Sequence, residues 1–314
     1  MIDINEYLNY KITKIYSGYS IDDLNNKYWK AENNKWRWMA FDLEHTFGVN
    51  GGDSCFENTL EKVSGINSNL PEWSTVLFRK LCENKAFRNE LIQRAASFLN
   101  TVFSPDHVVS VIDSLHNIFA PEVARHIQKW RIDENDPFAL PSVSVWNSNV
   151  EMMRQYARCR NQSLYQHFMQ TFSITDTFKI SIRVPDIDTG KIFINDVLLT
   201  EPSFSGVYFS DIPVRIRAVP AFGFDFAGWI NVSTNDTLEF VLSMDTVLQP
   251  MFITSDENIL PSHISVNTIL TQAESPYFSV GDIVVDSNIT LLMEPGSELL
   301  MSDLANIIVR GEFI

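Results

Sequence analysis

A chain of 314 residues is long enough for two or three domains and for a sizeable buried core. With 45% apolar and 20% charged residues and a mean hydropathy of −0.06, it excludes a disordered segment, a coiled coil and a membrane-spanning bundle. The net charge of −15 argues against a nucleic-acid partner, and it is spread unevenly: 18 Lys+Arg face 20 Asp+Glu up to residue 174, against 6 and 19 beyond it.

Six of the seven Trp, five of the six His and all three Cys also precede residue 174, so two regions of different chemistry are joined there. Cys55, Cys82 and Cys159 are too few and too widely spaced for a disulfide framework or a zinc site, and their odd number leaves at least one free thiol. No basic stretch followed by an apolar one opens the chain, so no signal peptide is visible.

Residues 3–17 place Ile4, Tyr7, Leu8, Ile12 and Ile15 at helical spacing and predict an amphipathic helix. After a polar stretch from Gly18 to Asn26, the strand-like pieces YWK and WRWMAF flank ENN and predict a hairpin that ends in an acidic turn and a glycine-bounded loop. From Trp73 to Phe172 the pattern is helical throughout, with start chemistry such as Ser104-Pro105-Asp106. After Ile174 the period switches to two: KISIRVP, GKIFIND, VYFSDIPVRIRAVP, TLEFVLSM and VLQPMFI predict strands. In 264–314 short strands recur about every ten residues, which suits a sandwich or a solenoid coil. The last strand has no closing element, so the final module reads as cut.

The stretch from Asn25 to Gly48, NNKYWKAENNKWRWMAFDLEHTFG, carries the chemistry. A carboxylate at the end of an aromatic strand, a second two residues on, and then Phe-Gly would present Asp42 to a divalent cation from a rigid support. Strand alternation would put Glu44 on the same face. Upstream, Asp22 and Asp23 precede Asn25. A proton-accepting Asp, an Asn ligand and then a metal-binding Asp is the order of parts in kinase catalytic loops. Against this stands the plainer reading that such Asp/Asn turns satisfy themselves and that Trp36 and Trp38 are core packing.

KWRWMAFDLEHTFG resembles the signature of the CotH kinase family, the spore-coat-type atypical protein kinases. NNKYWK, LFRKLCENKAFRNELIQRAASFLNTVFSP, APEVARHIQKW and MRQYARCR are similar to that family too, and residues 1–173 are covered. The resemblance implies transfer of phosphate from ATP, with Mg²⁺ or Mn²⁺, to Ser/Thr hydroxyls of a protein substrate. On it Asp42 is the metal-binding Asp, with Glu44 beside it; Asn25 is the second ligand, and Asp22 or Asp23 is the catalytic base. This sequence departs from the family pattern in carrying Glu44 where Asp is usual and Ser20 near the position of the base. The phosphate-covering loop and the ATP-positioning Lys with its Glu partner are expected before residue 1, since Lys11 and Lys14 lie too close to the catalytic loop. The chain therefore reads as the C-terminal portion of the domain, unable to bind ATP alone.

His45 reads as a solvated or capping side chain rather than a ligand. Arg125, His126, Lys129 and Arg131 read as a solvated helical edge with Trp130 packed inward, and Cys159 as plain helix packing despite its arginine neighbours. Residues 190–253 resemble a divergent internalin B-repeat module, with Trp229 plugging its core. Residues 264–314 resemble the first coils of a right-handed parallel β-helix, with Gly281 and Gly296 at corners.

The expected architecture is α+β and multidomain. A mainly helical C-terminal portion of an atypical protein-kinase-like domain spans 1–174, a small β-repeat module 175–254, and the start of a β-solenoid 255–314. Acidic, lysine-poor β modules suit a place outside the cell or on its surface, with contacts to a surface or matrix component. A non-catalytic adhesion protein built on a degenerate kinase-like lobe is the alternative.

Overall fold

The computed structural model describes residues 1–18, 26–49, 52–66, 70–130, 140–184, 186–221, 224–255 and 258–314. Helix α1 (Ile4–Ser17) is the predicted amphipathic helix. Asp3 caps it by accepting from the Glu6 N–H, and it ends at Gly18, whose φ of 78° is the left-handed conformation glycine adopts at no steric cost. Tyr7, Leu8, Ile12, Ile15 and Tyr16 form its buried face.

Strands β1 (Lys27–Trp29) and β2 (Arg37–Met39) make the predicted antiparallel hairpin, with Tyr28 opposite Trp38. Asn33 in its turn takes a φ of 59°, which its short polar side chain tolerates. Trp38 packs edge-on against Tyr7 of α1 at 4.8 Å, while Trp36 is exposed.

Helices α2 (Thr59–Val63), α3 (Glu72–Glu83), α4 (Lys85–Asn100), α5 (Pro105–Trp130) and α6 (Val143–Phe172) follow. Four of the starts have a local cause. Asn58 and Asn84 cap α2 and α4 by accepting from the N–H groups of Glu61 and Phe87, Pro105 opens α5, and Ser142 accepts from the Val145 N–H at the start of α6. Arg154 of α6 reaches Asp113 of α5 at 2.7 Å and ties the two longest helices together. Trp130 corrects the sequence reading: it is 56% exposed at the end of α5, with the Lys129 ammonium 4.7 Å from its ring. The last turn of α5 is mostly exposed among the described residues, so Trp130 has no core there to enter. Arg131 lies outside the described residues.

The β-rich part begins with β3 (Thr177–Arg183), β4 (Gly190–Ile194), β5 (Val197–Leu199), β6 (Ser203–Phe209), β7 (Pro213–Pro220), β8 (Phe224–Trp229), β9 (Thr237–Val241), β10 (Thr246–Leu248) and β11 (Pro250–Thr254). They form the sheets β10-β3-β6, β5-β4-β7-β9 and β11-β8. Alternation is clean on β7, where Val214, Ile216 and Ala218 are buried and Arg215 points outward. Trp229 is buried against Phe226 at 5.6 Å.

The composition change at residue 174 is not a gap in the core. Helix α4 packs on β6, and one continuous apolar cluster runs from Leu8 and Leu91 to Ile180, Tyr208 and Ile216. Several polar side chains in the seam are paired across it. The Gln93 side-chain amide donates to the carbonyls of Phe209 and Ile212, Asn195 donates to the Gln93 carbonyl and Ser97 Oγ, and Asn100 exchanges hydrogen bonds with the Val207 backbone. Buried and satisfied, such a network fixes one orientation of helix on sheet.

Residues 258–314 wind into nine short strands: β12 (Asn258–Ile259), β13 (His263–Ile264), β14 (Thr268–Leu270), β15 (Tyr277–Ser279), β16 (Ile283–Val285), β17 (Thr290–Met293), β18 (Leu299–Met301), β19 (Ile307–Val309) and β20 (Glu312–Phe313). They stack in three parallel ladders, β12-β15-β18, β13-β16-β19 and β14-β17-β20. Their small core of Ile264, Leu270, Tyr277, Ile283, Val285 and Leu291 is separate from the main one. Of the two expected corner glycines, Gly296 has a φ of 88°, whereas Gly281 has open space around it. The tight position is Gly311, where a Cβ would fall on the Ile289 carbonyl.

Candidate functional site

The segment Asp42–Gly48 follows β2, whose ladder stops at Met39. Asp42 takes a φ of 60°, Glu44 and His45 form a turn, and Phe47 and Gly48 take φ of 54° and 74°. The alternation used in the sequence reading therefore does not extend to 42–44. A left-handed residue redirects the chain, and the turn, not a pleat, sets how the two carboxylates stand.

The loop is rigidly mounted. Thr46, buried, donates from Oγ1 to the Leu43 carbonyl at 2.6 Å, and the Phe47 N–H donates to the Ser17 carbonyl at 3.0 Å. The Phe47 ring lies 5.8 Å from Tyr16 and 5.1 Å from Tyr156. One residue beyond Ser17, at Gly18, begins the stretch that carries Asp22, Asp23 and Asn25, and these three lie outside the described residues. That stretch re-enters at Asn26, whose Oδ1 accepts from the Tyr10 hydroxyl of α1 at 2.6 Å.

Behind the loop, α6 acts as a clasp. Arg160 is fully buried and spends five hydrogen bonds on this neighbourhood: Nε to the Tyr16 carbonyl, Nη1 to the carbonyls of Cys55 and Glu57, and Nη2 to the Ile15 carbonyl and Thr59 Oγ1, all at 2.6–3.0 Å. The Ile15 and Tyr16 carbonyls are among the last of α1, the partially negative end that a fixed cation satisfies, and the other acceptors belong to the segment that leads into α2. Burial pulls the guanidinium below its ordinary pKa, and burial also raises Tyr16 and Tyr156 above theirs. Tyr156 donates to the same Tyr16 carbonyl at 2.7 Å.

Cys159, adjacent to Arg160, forms a disulfide with Cys55 across 104 residues of sequence, with the Cα atoms 6.0 Å apart. This corrects the reading of Cys159 as plain packing. The two cysteines are brought together by the docking of the 53–59 segment on α6, which spacing does not reveal. Cys82 keeps the free thiol. A disulfide of this kind belongs to an oxidising compartment.

Asp53 was not singled out in the sequence, and its place is informative. Oδ1 accepts from Lys62 Nζ at 2.9 Å, while Oδ2 is buried without a hydrogen-bond partner among the described residues. A Cβ at Gly18 would meet the Tyr156 hydroxyl and the Asp53 Cβ, so Asp53 borders the point where the 19–25 stretch departs. The only sequence signal was its position five residues after Gly48. Among the described residues no group of three or more His, Cys, Asp or Glu is placed to hold a metal ion.

A sequence model of the family described as "CotH kinase protein" matches residues 1–164, more than half of the chain. The chain belongs to the CotH kinase family. The matched span runs from α1 through the hairpin and the Asp42 loop into α6, so it contains the loop and its clasp. No curated protein and no solved structure matches the chain. As a CotH protein the chain is kinase-like, and it implies a protein substrate and typical kinase cofactors. Among the described residues no helix is long and apolar enough to cross a membrane.

Proposed function

We propose that this CotH protein takes part in transferring the γ-phosphate of ATP to Ser/Thr hydroxyls of an acceptor protein. The observation that carries the reading is the bond from the Phe47 N–H to the Ser17 carbonyl. It fastens the Asp42 loop to the helix end from which the Asp22-Asp23-Asn25 stretch departs. Two acidic stretches that leave one rigid point can act on one substrate.

The donor set is oxygen-rich, as a hard divalent cation requires, and Oδ2 of Asp53, buried without a hydrogen-bond partner among the described residues, is a further polar atom nearby. Asp42, Glu44 and Asn25 would hold Mg²⁺ or Mn²⁺, which would neutralise charge on the ATP phosphates. Asp22 or Asp23 would accept the proton of the attacking hydroxyl. The seam between α4 and β6 makes the 175–254 module a fixed platform beside this lobe rather than a loose tether. The three parallel ladders of 258–314 are read as β-helix-like coils that attach the protein, or present it to substrates, outside the cell or on its surface.

The departure of Glu44 from a strand into a turn favours a second reading, a surface protein in which the lobe is a scaffold. The two are separated by incubating the product of the complete gene with γ-labelled ATP, MnCl₂ and a Ser-containing acceptor protein. Label enters the acceptor and falls by roughly 10²–10³-fold or more in Asp42→Ala, the order of loss when a charge-stabilising group is removed. Equal incorporation by the two proteins overturns the enzyme reading.

A further inference from the structure

A cleft of about 440 Å³ opens where the ends of α2, α3 and α6 meet the start of α4. Arg79 of α3 and Arg88 of α4 line it, with Ser64, Thr171, Ser173 and Phe172. Arg88 donates from Nη1 to the Cys82 carbonyl at 2.9 Å, and its Nε and Nη2 make no hydrogen bond among the described residues. Arg79 is held by Thr75 at 3.2 Å and only loosely, at 3.4 Å, by the exposed Glu72. The acid on the rim, Glu83, is drawn aside by Lys80 at 2.7 Å. Burial pushes the Cys82 thiol up to about 12, so it is neutral at physiological pH and adds no negative charge to the cleft. Two planar guanidiniums from different helices, with N–H groups to spare and hydroxyl-bearing residues in the same lining, match a tetrahedral oxyanion.

We propose that this cleft binds a phosphomonoester, the phosphoserine or phosphothreonine side chain of a protein. The volume leaves room for the carrier side chain against Phe172, which a bare phosphate would not fill. Nothing in this binding requires transfer at the Asp42 loop. Its use in retaining an acceptor that already carries phosphate rests on the kinase reading above.

The test is fluorescence anisotropy on the full chain, without ATP or divalent metal, using a labelled phosphoserine peptide, its serine twin, and inorganic phosphate as competitor. The phosphopeptide binds at least about tenfold tighter than its twin, and Arg88→Gln and Arg79→Gln each weaken it about tenfold or more, the scale of one charge-assisted contact. Ser173→Asp, at an exposed position, abolishes binding by placing a negative charge at the mouth, and it guards against an arginine variant that fails to fold. Competition by inorganic phosphate at the phosphopeptide's own affinity assigns the site to the phosphate group alone; much weaker competition assigns it to the phosphorylated side chain. Equal binding of the two peptides, or unchanged affinity in Ser173→Asp, overturns the proposal. Because no transfer is measured, an inactive Asp42 site leaves this result intact.

Discussion

Replacing Arg160 by Met lowers the stability of the helical lobe by about 3–5 kcal/mol, the cost of removing one partner from a buried charged network. The methionine fills similar space but removes the donor to the carbonyls of Ile15, Cys55 and Glu57, while the Tyr16 carbonyl keeps the Tyr156 hydroxyl. Each buried acceptor left unmade costs about 1–3 kcal/mol. Relaxation of the 53–59 segment and entry of water keep the total below the sum. Relief of the guanidinium's own desolvation, evident in its lowered pKa, works in the same direction. Arg160→Lys recovers little, because an ammonium with three donors cannot serve five acceptors spread over two segments. Urea unfolding followed by circular dichroism measures the loss, and a Met variant within about 1 kcal/mol of the parent contradicts the clasp.

Reduction of Cys55–Cys159 is the second large effect. Closing a loop of 104 residues restrains the unfolded chain, and removing such a bridge costs about 2–5 kcal/mol. Thiol titration under denaturing conditions finds one reactive thiol, Cys82, before reduction and three after. Because the bridge holds the Cys55 carbonyl against Arg160 Nη1, the two losses are coupled and their sum exceeds the loss in the double change. The same urea midpoint with and without reductant contradicts a stabilising bridge.

The parts of this fold that were legible in the sequence are those written in period and punctuation. Helix α1 follows from Tyr7, Leu8, Ile12 and Ile15, the hairpin from two aromatic runs around an Asn turn, and β7 from alternating Val214, Ile216 and Ala218. What was not legible depends on long-range docking. Gln93, Ser97 and Asn100 read as polar positions on a helix, yet they lie on the face buried against β6, where strand carbonyls and side chains satisfy them. An arginine is ordinarily exposed, so nothing in MRQYARCR marks Arg160 as fully buried or Cys159 as bridged. Trp130 misled in the opposite sense, since a large aromatic at a helix end reads as core. At the candidate site the sequence named Asp42 from its motif, but strand alternation was carried past Met39, where the ladder ends, out to Glu44. Asp53 carried no motif at all.

The central claim is that the Asp42 loop holds a metal–nucleotide pair, and thermal unfolding of the product of the complete gene with MnCl₂ and ATP tests it most directly. Ligand at about 100 times its dissociation constant stabilises the folded state by about 2.7 kcal/mol. The account predicts a rise in Tm of several degrees that needs both ligands and is lost in Asp42→Ala. A Tm that does not move with Mn²⁺ and ATP, or that moves equally in Asp42→Ala, contradicts it.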